Sequence, residues 1–124
     1  MTGQPDEQRI IIEMGTGNDL HGEDYTKAAI RAVEDAFRHS SLPLFESLGL
    51  SHREMRVQVT VGVQRPERID IAAVTAHLPR GLAEVRAVKG GLNVHNAELD
   101  ATIVIATAAV EAFLPSQKGR WQTA

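Results

Sequence analysis

Between Met55 and Gln64 the chain alternates without interruption, Met55, Val57, Val59, Val61 and Val63 set against Arg56, Gln58, Thr60, Gly62 and Gln64. Successive side chains of a strand project to opposite faces, so this segment demands a sheet with one dry face and one polar face. The valine face has to be covered. The polar face is either solvated or packed against other subunits around a wet interior.

What covers the valines is readable nearby. From Asp24 to about His39, residues Ala28, Ala29, Ala32, Val33, Ala36 and Phe37 form one helical stripe, with Arg31, Glu34, Asp35 and Arg38 largely outside it. Asp24 suits the N-cap, because its carboxylate can accept amide hydrogens of the first turn. Ser40-Ser41-Leu42-Pro43 ends this helix, and Leu44 to Leu48 adds a short turn. Asp70 caps a second helix with Ile71, Val74 and Leu78 on one face, closed by Pro79 and Gly81. Arg9 to Met14 reads as a strand, apolar except at Glu13 and hence central, covered on both faces. Leu82 to Val88 is a further strand, and Ala101 to Leu114 the last, with Ala106 to Ala112 open between strand and helix. Lys89 to Asp100 reads as a glycine-bearing loop.

The resulting expectation is one α+β domain over residues 9–115 with polar tails at 1–8 and 116–124. Its order is β-α-β-α-β-β, a four-stranded mixed sheet with two helices on one face. Helical crossovers predict parallel pairing between the early strands, and the closing glycine-rich connection predicts an antiparallel hairpin. A sheet this small gains by association, so a homo-oligomer is expected.

Charge and composition exclude several classes. The net charge of −3 offers no footprint for nucleic acid or an anionic membrane. With no cysteine, disulfides, thiolate catalysis and cysteine-based zinc sites are ruled out. The N-terminus is polar and acidic, unlike a signal peptide, and no apolar run approaches the roughly 20 residues of a membrane span. A cytoplasmic protein is expected, and no motif calls for a cofactor.

The candidate site is Gly15-Thr16-Gly17-Asn18-Asp19-Leu20-His21-Gly22, between the first strand and the first helix. Its glycines do not match G-x-G-x-x-G, because the third falls too late, so a dinucleotide loop is not expected. As a loop, Gly15, Thr16, Gly17 and Gly22 could turn backbone amides toward a ligand oxygen beside a helix N-terminus. A tight turn explains the glycines equally well. Asp19 and His21, two residues apart, could form an acid/base pair, or share a metal with a third ligand from Glu13, Glu23, Asp24 or His95. Alternatively, Asp19 caps the turn and His21 bonds backbone.

Lys27 sits in the first helical turn, where the dipole disfavours a cation. Either Asp24 or Glu23 neutralises it, or it faces the loop as a proton acceptor or anion contact, with Arg31 one turn further on the same side. No hydroxyl has the setting of a nucleophile; Thr16 is the nearest candidate. His95, in the second glycine-bearing loop, could meet the first loop in the same subunit or across an interface.

The pattern G-x-G-x-D-x-H-G (Gly15, Gly17, Asp19, His21, Gly22) resembles a small family of conserved hypothetical proteins of bacteria and plants. The resemblance continues through Asp24-Tyr25-Thr26-Lys27-Ala28-Ala29, Leu78-Pro79-x-Gly81, Gly90-Gly91 and Ile103-Val104-Ile105-Ala106. It implies a fold more than a function. More distantly, the chain is similar to one repeat of the cyanuric acid hydrolase and barbiturase family, enzymes of three fused α+β repeats around a barrel core. That similarity implies a homotrimer, or a multiple of one, and opening of cyclic amides. Lys27 and an arginine then have counterparts, whereas the family's catalytic serine has none. Two functional expectations follow: a small polar or anionic ligand bound at the glycine-rich loop near a subunit interface, or hydrolysis of a C–N bond. In the second, Lys27 and His21 handle protons, Asp19 orients His21 and Arg31 holds substrate.

Overall fold

The computed structural model describes residues 7–38, 56–78 and 82–115. The elements are β1 (Glu7–Asp19), α1 (Tyr25–Arg38), β2 (Arg56–Val63), a 3-10 turn (Pro66–Arg68), α2 (Ile71–Ala76), β3 (Leu82–Lys89), β4 (Leu92–Asn96) and β5 (Ala101–Pro115). The expected helix end at Ser40 to Pro43, the turn at Leu44 to Leu48, Pro79 and Gly81 lie outside the described residues.

Among the described residues the sheet has five strands rather than four, ordered β1-β5-β2-β3 with β4 off this path beside β5. β4 pairs with β5 from Leu92↔Ile105 to Asn96↔Ala101, and β2 pairs with β5 from Gly62↔Thr107 to Arg56↔Phe113. β4 thus takes up β5 where β2 leaves it. β1 and β2 run parallel, as a helical crossover requires, but antiparallel β5 lies between them. The parallel pair is β2 with β3. The expected hairpin of Leu82–Val88 with the last strand is not formed, because β2 lies between β3 and β5. The hairpin is instead β4, a strand within the expected loop, with β5.

Both helices cover one face. Tyr25, Ala28, Ala29, Ala32, Val33 and Ala36 of α1 and Val74 of α2 share a core with Val57, Val59, Val61 and Val63 of β2 and Val104, Ala106, Ala108, Val110 and Ala112 of β5. The predicted helical stripe and valine face therefore meet each other. Ala106 to Ala112, open between helix and strand in the sequence, is strand; its even-numbered residues are buried on the helix face. Asp24 caps α1 as expected, its Oδ1 accepting from Lys27 N at 3.0 Å. Asp70 caps α2, accepting from Ala73 N at 3.1 Å, and its own amide donates to Thr26 Oγ1 of α1 at 2.9 Å.

Two expectations about β1 are corrected. Among the described residues it is an edge strand, paired with β5 alone, and Ile12 and Met14 are 50 % and 72 % exposed on the face away from the helices. It also runs through the supposed glycine loop as far as Asp19. The reason is packing: an ideal Cβ on Gly15 would lie 2.4 Å from Ala32 O, and one on Gly17 2.3 Å from Ala32 N. These glycines, with the alanines of α1, bring helix and strand backbones into close approach. They are not a turn.

Candidate functional site

β1 ends at Asp19, whose side chain builds the turn into α1. Asp19 Oδ2 accepts from Gly22 N at 3.0 Å and from Asp24 N at 2.9 Å. Glu23 adopts a left-handed conformation at φ 47° to close the turn. Asp24 then caps the helix, so one carboxylate holds the turn and the next starts α1. The Asp24 amide bond holds the Asp19 carboxyl below the ordinary carboxylate range; the Gly22 amide and the charges of Lys27 and Arg31 act the same way, against burial.

Lys27 and Arg31 are four residues apart and share one face of α1. Arg31 Nη1 donates to the Asn18 carbonyl, which ties the helix to the end of β1. Asp19, Leu20, His21, Gly22, Asp24, Lys27 and Arg31 line an open cleft of about 340 Å3. Of the predicted residues, the fold thus gathers Asp19, His21, Gly22, Lys27 and Arg31. Leu20 and Asp24 complete the lining; Asp24 was expected as the cap or as a partner of Asp19 and His21, and Leu20 carried no signal in the sequence.

The other predicted site residues lie elsewhere, and strand geometry explains where. Gly15, Gly17 and Asp19 face the helix, so Thr16 and Asn18 project from the opposite face of the sheet. Thr16 lines a separate concavity there, and its amide donates to Asp35 Oδ2 at 3.0 Å. Gly15 and Gly17 are buried beneath α1. His95, on β4, places Nε2 3.7 Å from Asp100 Oδ1 at the β4–β5 hairpin.

Chemically, the cleft offers two cations and an imidazole to an incoming anion. Its two carboxylates are engaged with backbone amides. Lys27 and His21 are exposed and can exchange protons with a bound molecule, but the lining contains no hydroxyl or other ready nucleophile. Among the described residues, no three His, Asp or Glu side chains gather in a metal-binding group. No helix among them is long and apolar enough to cross a membrane.

Residues 9–112 match a family described as conserved hypothetical protein (Lin0512_fam). The chain belongs to this family. Among solved structures it is similar to one described as an FtsZ-like protein of unknown function from Nostoc punctiforme PCC 73102. That similarity has a TM-score of 0.77 and 40 % identity, covering 89 % of this chain and 98 % of the other. No curated protein sequence matches the chain.

Proposed function

We propose that this member of the family binds a small polar or anionic molecule in the cleft between the end of β1 and the first turns of α1, beside an interface between copies of itself. The observation that supports it best is the convergence of Lys27, Arg31 and His21 on one open cleft whose carboxylates already have amide partners. The dipole at the start of α1 adds to the attraction of these cations for an anion, which the charges of Asp19 and Asp24 offset in part.

Self-association draws on a patch at the same end of the sheet. Asp19 pairs with Val104, whose other neighbour is Asn93 of β4. On the open face of β4, Leu92 and Val94 are 55 % and 40 % exposed, and Leu20 on the cleft wall is 49 % exposed. Single exposed aliphatics are ordinary, but a group beside a polar cleft suits a subunit contact. A trimer, or a multiple of one, is the expected assembly.

Calorimetric titration with malonate and with inorganic phosphate at low ionic strength tests the ligand. Saturable binding is expected, weakened roughly tenfold or more by Lys27→Ala and by Arg31→Ala. Affinity unchanged in both variants removes the site. Sedimentation velocity tests the assembly: Leu92→Glu with Val94→Glu should give monomer, and an unaltered oligomer would rule this patch out.

A further inference from the structure

The face of the sheet away from the helices can be mapped from strand register. Thr16 of β1, Thr107 of β5, Gly62 of β2 and Val88 of β3 lie in one row across it, each paired with the next. The adjacent row is Met14, Ala109, Thr60 and Arg86. Residues on the two central strands are therefore small, whereas the flanking strands carry Met14, Val88 and Arg86. The result is a basin of about 500 Å3, with Met14, Thr16, Thr60, Val88, Lys89 and Thr107 among its lining. That volume lies within the usual range of small-molecule sites.

The floor is built around a missing side chain. A Cβ on Gly62 would lie 2.8 Å from Thr107 Oγ1 and 3.4 Å from Gly90 Cα. Gly62, buried near the end of β2, thus keeps the floor low, with Thr107 and Gly90 packed against it, where a strand would ordinarily carry a β-branched residue. Around this floor the chemistry has two kinds. Thr16 and Thr107 are direct cross-strand neighbours with exposed side chains, and Thr60 Oγ1 is held by Arg86 Nε at 3.1 Å. Arg86, paired with Thr60 on this face and bonded to its hydroxyl, supplies a cation at the rim. Met14, 72 % exposed, and Val88, 41 % exposed, supply apolar walls. Asp35, the acidic residue of the lining, already accepts the Thr16 amide.

We infer that this basin is a second binding site, for a small amphipathic carboxylate. The carboxylate bonds to the threonine hydroxyls and Arg86, and the hydrocarbon part lies over Ala109 between Met14 and Val88. Hydroxyls and a guanidinium group satisfy the oxygens, and the apolar walls add burial that a bare inorganic anion cannot use. The basin is formed within one chain and shares no lining residue with the Lys27–Arg31 cleft, so it stands independently of the function proposed above.

Amide NMR titration with butyrate and benzoate tests this, with butyramide as the uncharged control. Saturable shifts at Thr16, Thr60, Lys89 and Thr107 are expected with the carboxylates and not with butyramide. Ala109→Leu fills the basin from an open face and should abolish the shifts. Thr107→Val removes one hydroxyl at constant shape and should weaken binding roughly three- to tenfold. Arg31→Ala should leave these shifts unchanged. Unmoved amides, equal shifts with butyramide, shifts that survive both basin variants, or shifts lost in Arg31→Ala would each overturn the assignment. A basin sealed by self-association also leaves the amides unmoved and counts against it.

Discussion

A methyl group on Gly17 would lie 2.3 Å from Ala32 N and 2.5 Å from Ala28 O, atoms of the α1 backbone that cannot swing aside. Gly17→Ala must therefore push α1 off β1, and a cost of at least about 2 kcal/mol is expected in urea denaturation. At Gly22 the nearest atom to an added Cβ is Asp19 Oδ2 at 3.4 Å, an ordinary contact. Gly22→Ala should stay within about 0.5 kcal/mol of the parent. Equal effects of the two substitutions would refute the packing role of Gly17. Asp19 is the other residue on which the site depends. Asp19→Ala leaves the Gly22 and Asp24 amides without their acceptor, expected to cost roughly 2 kcal/mol; Asp19→Asn keeps a carbonyl but loses the charge and should cost less. Because the folded state lowers the Asp19 pKa, its contribution is complete above the unfolded carboxylate value of about 3.9. It is lost as pH falls through the lower folded value. The stability gap between the parent and Asp19→Ala should hold at neutral pH and narrow below about pH 4; a gap independent of pH would contradict the charge-assisted turn.

α2 has only six residues, too few to persist without its cap and its single buried contact, Val74. Asp70→Ala removes the acceptor of the Ala73 amide and is expected to cost about 1 kcal/mol. Ala73 should lose its hydrogen-exchange protection while β2 keeps its own; protection retained at Ala73 would show that packing alone holds α2. This cap, like that of α1, was legible in the sequence because Asp followed by an apolar period is a local signal. The valine alternation of β2 and the alanine stripe of α1 were legible for the same reason. Other elements were fixed by partners distant in sequence. Gly15 and Gly17 read as loop because glycine is uncommon in strands, and only α1 pressing on them makes strand the better state. Leu92 to Asn96 alternates, but its brevity and the preceding Gly90-Gly91 hid a strand that pairing with Ala101 to Ile105 creates. The site followed the same division. Lys27 and Arg31 share a face by helical spacing, and Asp19 joins them through a short turn. Thr16 and His95 were grouped with them only while their segments were taken for loops; the two-residue strand period sends Thr16 to the other face.

At the scale of the whole molecule, the sheet is organised by β5, which pairs with β1, β2 and β4. The pairing with β1 joins opposite ends of the described chain, from Glu7↔Pro115 to Asp19↔Val104. Folding must close that long loop before the central strand has both neighbours, and such non-local topologies fold slowly. The same register places Glu7 beside Pro115, so a short linker can join them without disturbing either strand. The exposed turn Ala97 to Asp100, between β4 and β5, is a natural place to open the chain instead. A permutant that starts at β5, runs through the linker into β1 and ends at β4 converts the longest-range pairing into a hairpin. It breaks only one connection, that between β4 and β5. The native sheet should survive, with the amide shifts of β1, β2 and β5 preserved. Its refolding rate, measured by stopped flow, should exceed that of the parent because the β1–β5 contact has become local. Equal or slower refolding would show that closure between β1 and β5 does not limit folding. The barrier would then lie in the parallel β2–β3 crossover, which permutation leaves intact.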